Sequence, residues 1–277
     1  MRVLLTNDDG INAEGLRVLR SALLEVPGID LQVVAPDGNR SATARSITTR
    51  RPLWVQEFDF GDGGAFGYAT DGTPVDCVRL ANMELVEPGW TPELVVSGIN
   101  HGSNIGDDIT YSGTVAAALE GIVLGFPAIA VSQQSAAREL DFRQSPEFDF
   151  RVAAEFTARL VAELEVVPMP PDTLLNINVP GCEPEGVTVA KLGKRIYTDE
   201  LVLVQEELGR KRYRVYGEAS VSPDEQGTDI AAIAAGQIAI TPLHLDLTHH
   251  RGIPALAAHN LDRLLNDPVE LGSTSER

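Results

Sequence analysis

Two adjacent carboxylates, Asp8 and Asp9, follow the apolar run Val3-Leu4-Leu5 and precede Gly10. Such a run reads as a buried strand, and the glycine behind it as a turn. Both acids then sit on a loop at the carboxyl end of a strand, where open α/β sheets bind their ligands. Like charges side by side repel, so the pair favours a positive partner between them. The usual partner is a hard divalent cation held by oxygen ligands. Asn7-Asp8-Asp9-Gly10 is also ordinary turn chemistry, and taken alone the tetrapeptide fits a solvated loop.

Two further loops carry short polar side chains to the same expected edge. One runs from Ala35 to Ser46 and holds Asn39-Arg40-Ser41; the other runs from Ser97 to Asp108 and continues into Tyr111-Ser112-Gly113-Thr114. Each alone could be a plain turn, but several strand ends converge here with hard oxygen donors and free amides. The carboxylates of Asp8 and Asp9, the hydroxyl of Ser41 and the amide oxygen of Asn100 would make a site for one magnesium or manganese ion. Such a site leaves positions open for substrate and for a water of lowered pKa. Ser112-Gly113-Thr114 opens an Ala-rich helix, where backbone N–H groups and the helix dipole favour a phosphate. The chain has neither a Walker GxxxxGK[ST] nor a GxGxxG, so neither a mononucleotide P-loop nor a dinucleotide fold is supported.

Regular alternation of strand and helix signals must position these loops. Arg2–Thr6 reads as a strand, and Glu14 to Val26 as a helix through Leu16, Leu19, Leu23 and Leu24, with Asn12 as its cap. Leu31–Ala35, Leu94–Ser97, Ala128–Ser132 and Leu174–Val179 read as core strands. Val75–Met83, Thr114–Leu124 and Asp149–Val166 read as helices, while Leu53–Phe58 and Phe66–Ala69 flank a hairpin signal. This order predicts an α/β fold with a doubly wound, mainly parallel, Rossmann-like sheet covered on both faces. Right-handed crossovers would place the strand carboxyl ends along one edge.

The pattern changes after Cys182. The catalytic core is therefore expected over residues 1–182, and a C-terminal extension over 183–277. Residues 191–218 look like a hairpin arm with Leu208-Gly209 near its tip. It either projects to another subunit or packs on its own domain. Residues 237–242 read as a strand returning to the core, and 253–265 as a terminal helix.

Composition bounds the partners. With 277 residues, 43% hydrophobic and 22% charged, the chain can bury a real core. Its net charge of −18 argues against nucleic-acid polymers and anionic membranes, which would be repelled. A small phosphate ester stays admissible if a cation or local amides supply positive potential. Cys77 and Cys182 are too few for a disulfide framework and suit a reducing cytoplasm. No basic-then-apolar leader opens the chain, and the apolar stretch near 114–131 is too broken to span a membrane. The expectation is a soluble, cytoplasmic protein.

The ordered motifs resemble a known family. They are Leu-Leu-Thr-Asn-Asp-Asp-Gly-Ile near the N-terminus, Val-Ala-Pro-Asp-Gly-Asn-Arg-Ser, Gly-Thr-Pro-Val-Asp-Cys at 72–77, Val-Ser-Gly-Ile-Asn at 96–100, Tyr-Ser-Gly-Thr-Val at 111–115 and Ile-Thr-Pro-Leu at 240–243. Together they are similar to the SurE (survival protein E) family of metal-dependent nucleotidases, over nearly the whole chain. The resemblance implies metal ligands at Asp8, Asp9, Ser41 and Asn100, the same four residues the loop argument selects. It implies a 5′-nucleotidase, a phosphoric monoester hydrolase acting on nucleoside 5′- and 3′-monophosphates in the cytoplasm. It also implies homodimers or homotetramers built through the arm and the terminal helix.

The resulting expectation is a phosphomonoesterase with Asp8 and Asp9 as catalytic residues around one divalent cation and its activated water. Asn104, Ser112, Gly113 and Thr114 would hold the substrate phosphate. One rival is a phosphatase forming an aspartyl-phosphate, as haloacid-dehalogenase-type enzymes do, although those resemble DxD where this chain has DD. Another is a non-catalytic nucleotide sensor on the same fold. His101 reads as a solvated loop histidine. His244, His249 and His250 resemble a metal cluster only in number, and Asp107 and Asp108 read as groups that orient the Asn100 loop.

Overall fold

The computed structural model describes residues 1–62, 66–138, 147–194, 196–197, 201–215, 219–220 and 225–266. It divides into two compact units, Met1–His244 and Leu245–Arg277. In the larger unit the chain runs β1 (Arg2–Thr6), α1 (Glu14–Leu24), β2 (Asp30–Pro36), β3 (Val55–Phe58), β4 (Gly67–Thr70), α2 (Pro74–Asn82), β5 (Leu94–His101), α3 (Gly113–Val123), β6 (Ala128–Gln133), α4 (Arg151–Ala162) and β7 (Thr173–Val179). It continues through β8 (Val187–Val189), β9 (Ile196–Tyr197), β10 (Val202–Glu207), β11 (Arg210–Arg214), β12 (Ala219–Ser220), α5 (Asp229–Ala234) and β13 (Ile238–His244). A 3₁₀ turn, Gly106–Thr110, lies between β5 and α3.

A nine-stranded sheet, ordered β3-β4-β2-β1-β5-β6-β7-β13-β8, forms the frame. From β4 to β7 every neighbouring pair is parallel; β3 runs antiparallel to β4 and β13 antiparallel to β7. The central strands are apolar on both faces, as in a sheet covered on both sides: Val3, Leu4, Leu5, Leu94, Val95, Val96, Ile129 and Val131 are all buried. The expected doubly wound, mainly parallel α/β fold is the one observed.

Leu16, Leu19 and Leu23 bury the core face of α1, whereas Leu24 lies one position too far round and is 44% exposed. Asn12 does not cap this helix. Ala13 is the N-cap, and the Asn12 amide oxygen instead accepts from Arg17. Helix α2 has the stronger start: the Thr73 hydroxyl accepts the Asp76 N–H, the Asp76 carboxylate accepts the Thr73 N–H, and Pro74 follows the cap.

One connection departs from the uniform right-handed crossovers that the pattern suggested. Helices α1 and α4 pack on each other and share a core with the sheet, while α2 packs on α3. Yet β1→β2 and β6→β7 step along the sheet in opposite directions. Two crossovers on one face, stepping opposite ways, have opposite hands. The α3 connection steps with that of α4 but lies on the other face, so α1 and α3 share a hand. The β6–α4–β7 crossover is therefore the left-handed exception to a strong rule.

After residue 182 the chain adds β8 and β13 to the main sheet. The hairpin is present as the antiparallel pair β10–β11, turning at Leu208-Gly209 with positive φ at both, the geometry of a two-residue hairpin turn. Strands β9 and β12 pair at its base; residues 195, 198–200 and 216–218 of the expected arm lie outside the described residues. In the smaller unit the single helix expected over 253–265 is two short ones, α6 (Gly252–Ala257) and α7 (Arg263–Asn266). Asn260 and Asp262 fall between them, and their side chains compete with helical backbone hydrogen bonding. Among the described residues no helix is long and apolar enough to cross a membrane.

Candidate active site

The loops after β1, β2 and β5 and the first turn of α3 meet at one edge of the sheet. Hydrogen bonds from the loop backbone draw them together: Arg40 N–H donates to the Asp8 carbonyl at 2.6 Å, and Ile11 N–H to that of Pro36 at 2.8 Å. Gly10 has φ +104°, and a Cβ there would lie 3.0 Å from the Gly38 backbone, so only glycine allows the two loops this approach.

Asp8 is 3% exposed and faces α3. The Thr114 hydroxyl donates to its Oδ1. A Cβ on Gly113 would lie 2.7 Å from Asp8 Cβ and 2.8 Å from Oδ2, so the helix starts as close to the carboxylate as a backbone can. Burial, reinforced by the neighbouring Asp9 charge, pushes Asp8 up from 3.8 to about 6, against the pull of the Thr114 hydrogen bonds.

Asp9 faces the other way. Its Oδ1 accepts from Asn39 Nδ2 at 3.1 Å, and its Oδ2 accepts from the His101 backbone N–H at 3.1 Å. The His101 ring nitrogen Nδ1 lies 2.8 Å from the same oxygen, where an ionised carboxylate requires the ring to donate. His101 is thus no solvated loop histidine: its ring is half-buried, held on Asp9 and packed edge-on to Phe148 and Phe150 at 5.2 and 4.8 Å.

The remaining expected residues divide by what their side chains already hold. Asn39 Oδ1 accepts the Ser41 N–H at 2.9 Å, so Asn39 ties the Ser41 loop to Asp9, while the structure gives the Ser41 hydroxyl no contact with either acid. Asn100 Nδ2 donates to the Gly102 carbonyl at 2.7 Å, which assigns its amide nitrogen and leaves its oxygen for another partner. Ser112 Oγ caps α3 by accepting the Val115 N–H at 3.1 Å, and the Thr114 hydroxyl is on Asp8. What this turn offers an anion is therefore its backbone N–H groups. Asn104 is buried, its Nδ2 donating to Ser132 Oγ at 2.8 Å.

Asn104 also reveals residues that the motif reading passed over. Asn176 and Asn178 both donate to its carbonyl at 2.9 Å, and Asn178 Oδ1 accepts its N–H at 2.8 Å. The signal was present: Asn176 and Asn178 stand two apart on an otherwise apolar strand, so both face the same side. Asp229 anchors the next residues, accepting the N–H of Gly106 at 2.8 Å and of Gly193 at 2.7 Å. The loop after β5 is thereby fixed from β6, β7 and the C-terminal segment together.

The donor set suits a hard cation. Among the described residues no lysine or arginine pairs with Asp8 or Asp9, and a desolvated acid pair without a cation is unfavourable. No group of three or more His, Cys, Asp or Glu among the described residues is placed to hold a metal. Any ion here would rest on two carboxylates supplemented by neutral oxygens, a magnesium-like environment. His250 is instead 2.5 Å from Asp246 within the smaller unit.

Comparison with known proteins decides the family. The family model "Survival protein SurE" matches residues 3–199. The chain belongs to the SurE family. The 5′-nucleotidase SurE of Rubrobacter xylanophilus is 49% identical to this SurE chain, over 96% of the chain and 99% of that protein. The 5′-nucleotidase SurE of Symbiobacterium thermophilum is 43% identical, over 94% and 98% respectively. Among solved structures, the SurE protein of Aquifex aeolicus superposes with a TM-score of 0.77 at 34% identity, covering 96% of this SurE chain and 100% of its own.

Proposed function

We propose that the protein is a metal-dependent nucleotidase that hydrolyses nucleoside 5′- and 3′-monophosphates to nucleoside and phosphate. Family membership sets the reaction class, and its SurE relatives carry the name 5′-nucleotidase. The observation that carries the reading to particular residues is the Asp8–Asp9 pair. Asp8 is buried and Asp9 half-buried, no lysine or arginine among the described residues pairs with either, and separate elements hold them directly beside the N-terminus of α3.

Asp8, Asp9, Ser41 Oγ and Asn100 Oδ1 would hold one divalent cation, magnesium or manganese. When bound, it supplies a Lewis acid for a phosphoryl oxygen and lowers the pKa of a nearby water. Thr114 fixes Asp8 and the Asn39–His101 pair fixes Asp9, so both acids are oriented before substrate arrives. The first-turn N–H groups of α3 receive the phosphate and stabilise charge building on its oxygens, while Asn104, held by Ser132, Asn176 and Asn178, fixes the loop beside them. Residues 1–182 carry this chemistry, while the extension over 183–277 serves assembly into a homodimer or homotetramer through its arm and terminal segment. The reading places the protein in the cytoplasm, acting on small nucleotides.

The test is phosphate release from AMP with added Mn²⁺ or Mg²⁺, with and without EDTA, in the wild type and in Asp9→Asn. Metal-dependent release that the variant loses supports the reading. Absence of release overturns it in favour of a nucleotide sensor, and full activity in Asp9→Asn overturns the role given to Asp9. A trapped phosphoryl-aspartate would replace it with the covalent route.

A further inference from the structure

Beside Asp9 lies a cavity of about 440 Å³, lined by His101, Phe148, Phe150, Glu14, Glu147 and Asp149. Its volume falls within the range of small-molecule sites. His101 is common to both places: one ring nitrogen holds Asp9, and the ring packs against the two phenylalanines, themselves stacked with centroids 5.6 Å apart. The cavity is therefore separated from the acid pair by a single side chain. The phosphate position at α3 is on the other side of that pair, since Asp8 turns to Thr114 and Asp9 to His101.

We infer that this cavity is the base site of the nucleotide, an inference that rests on the nucleotidase reading above. Phe150 is buried, so Phe148 is the phenylalanine with surface to offer, and every base has a π-face to set against it. The acids around the opening give the arrangement a direction. Glu14 and Glu147 repel a phosphate and accept hydrogen bonds from amino and imino groups of a base, while the Asp149 carboxylate is already met by the Arg151 N–H and guanidinium. An anionic phosphate goes to the α3 side and a neutral base to the aromatic side, so the substrate has one favoured orientation across Asp9. Binding energy gathered at the base then acts on the reacting phosphate, as contacts remote from the chemistry do.

The primary test compares AMP with ribose 5-phosphate on the wild-type enzyme, since both present the same phosphoester and only AMP carries a base. The inference expects kcat/KM for AMP to exceed that for ribose 5-phosphate by on the order of tenfold or more, the scale of one base–aromatic stack. In Phe148→Ala that ratio falls toward one, and because it is read as a ratio, any loss transmitted through His101 to Asp9 falls on both compounds alike. Equal turnover of the two compounds by the wild type overturns the base site while leaving phosphatase activity standing. If the wild type releases phosphate from neither compound, the nucleotidase reading itself has failed. A wild-type preference that persists in Phe148→Ala also overturns the proposal, because the base is then read elsewhere.

Discussion

The carboxyl edge of the sheet and the β10–β11 arm break the usual rule of burial in opposite senses. At the edge, polar groups are buried: Asp8, Asn104, Asn176 and Asn178 are all under one-tenth exposed, and each hydrogen-bonds to another element, although Asn176 Oδ1 has no partner among the described residues. On the arm, apolar groups are exposed: Leu203, Val204 and Tyr213 stand open, and Leu208 at the tip is 95% exposed. Buried polarity costs stability unless every group is satisfied, so it persists where a fixed geometry is needed. Exposed apolar surface instead marks a place where something else binds. The proposed function gives the edge a small charged ligand to hold and the arm a partner to meet.

The sharpest way to break this contrast is to disturb the acid pair. Asp8→Asn and Asp9→Asn are each expected to lower metal-dependent phosphate release by more than the roughly 10–100-fold that removing a supporting group produces. Far-UV circular dichroism should stay native, since β1 and its neighbours do not depend on either charge. Retained activity in both variants would make the edge a structural network only. Gly113→Ala comes next. Its new Cβ must push Asp8 aside, because the gap to Asp8 Cβ is 2.7 Å. Activity should fall by about 10–100-fold. Thermal unfolding should report an overpacking cost of about 1–3 kcal/mol.

Asn39 tests the outer support. Asn39→Ala removes the link between Ser41 and Asp9 while leaving all four proposed ligands in place. Metal affinity, read by titration calorimetry with Mn²⁺, should weaken roughly 10-fold or more. Unchanged affinity would show that the Ser41 loop holds its place without this bridge.

Asp8 also makes the metal-free protein pH-sensitive. Its folded pKa, about 6, is raised above the ordinary 3.8, so the folded state binds its proton more tightly than the unfolded chain. The contribution to stability is therefore complete below about pH 4 and is lost as pH rises to about 6, by linkage. Two units correspond to about 3 kcal/mol. In EDTA, the stability of the wild type relative to Asp8→Asn should fall across this window. A flat difference would mean that the acid is not desolvated in solution.

Much of the edge was legible because its chemistry and its turns use the same residues. Asp8-Asp9-Gly10 supplies donors and a bend at once, and the strand periodicity around it places the loop at the carboxyl edge. The supporting groups were harder to read. Asn39 looks like one more turn residue, and its role appears only when two loops meet. Asn176 and Asn178 look like interruptions of an apolar strand until Asn104 packs against them. His101 resembled a solvated loop residue because its partners, Phe148 and Phe150, lie some fifty positions away in a loop before α4. The hand of the β6–α4–β7 crossover has no local signature at all. It follows from which face α4 finds room on, a tertiary outcome that periodicity does not encode.

The arm provides the smallest expected effect on catalysis and the other half of the contrast. Among the described residues its two strands pair only with each other, as β10–β11 forms a separate sheet. An isolated two-stranded hairpin is marginal in water, and this one leaves Leu203 47% and Tyr213 42% exposed. A second copy of the chain would relieve both problems by covering the apolar residues and immobilising the ribbon. Placing a charge on that surface with Leu203→Asp should shift the protein to a smaller species in light scattering. Turnover of AMP per subunit should change by less than about twofold, because the variant touches no group at the sheet edge; surface substitutions of this kind cost little in the folded subunit itself. An unchanged mass would mean that the arm's apolar face serves something other than self-association. A smaller species with greatly reduced turnover would join the two regions that the structure otherwise separates, making the arm part of the catalytic unit.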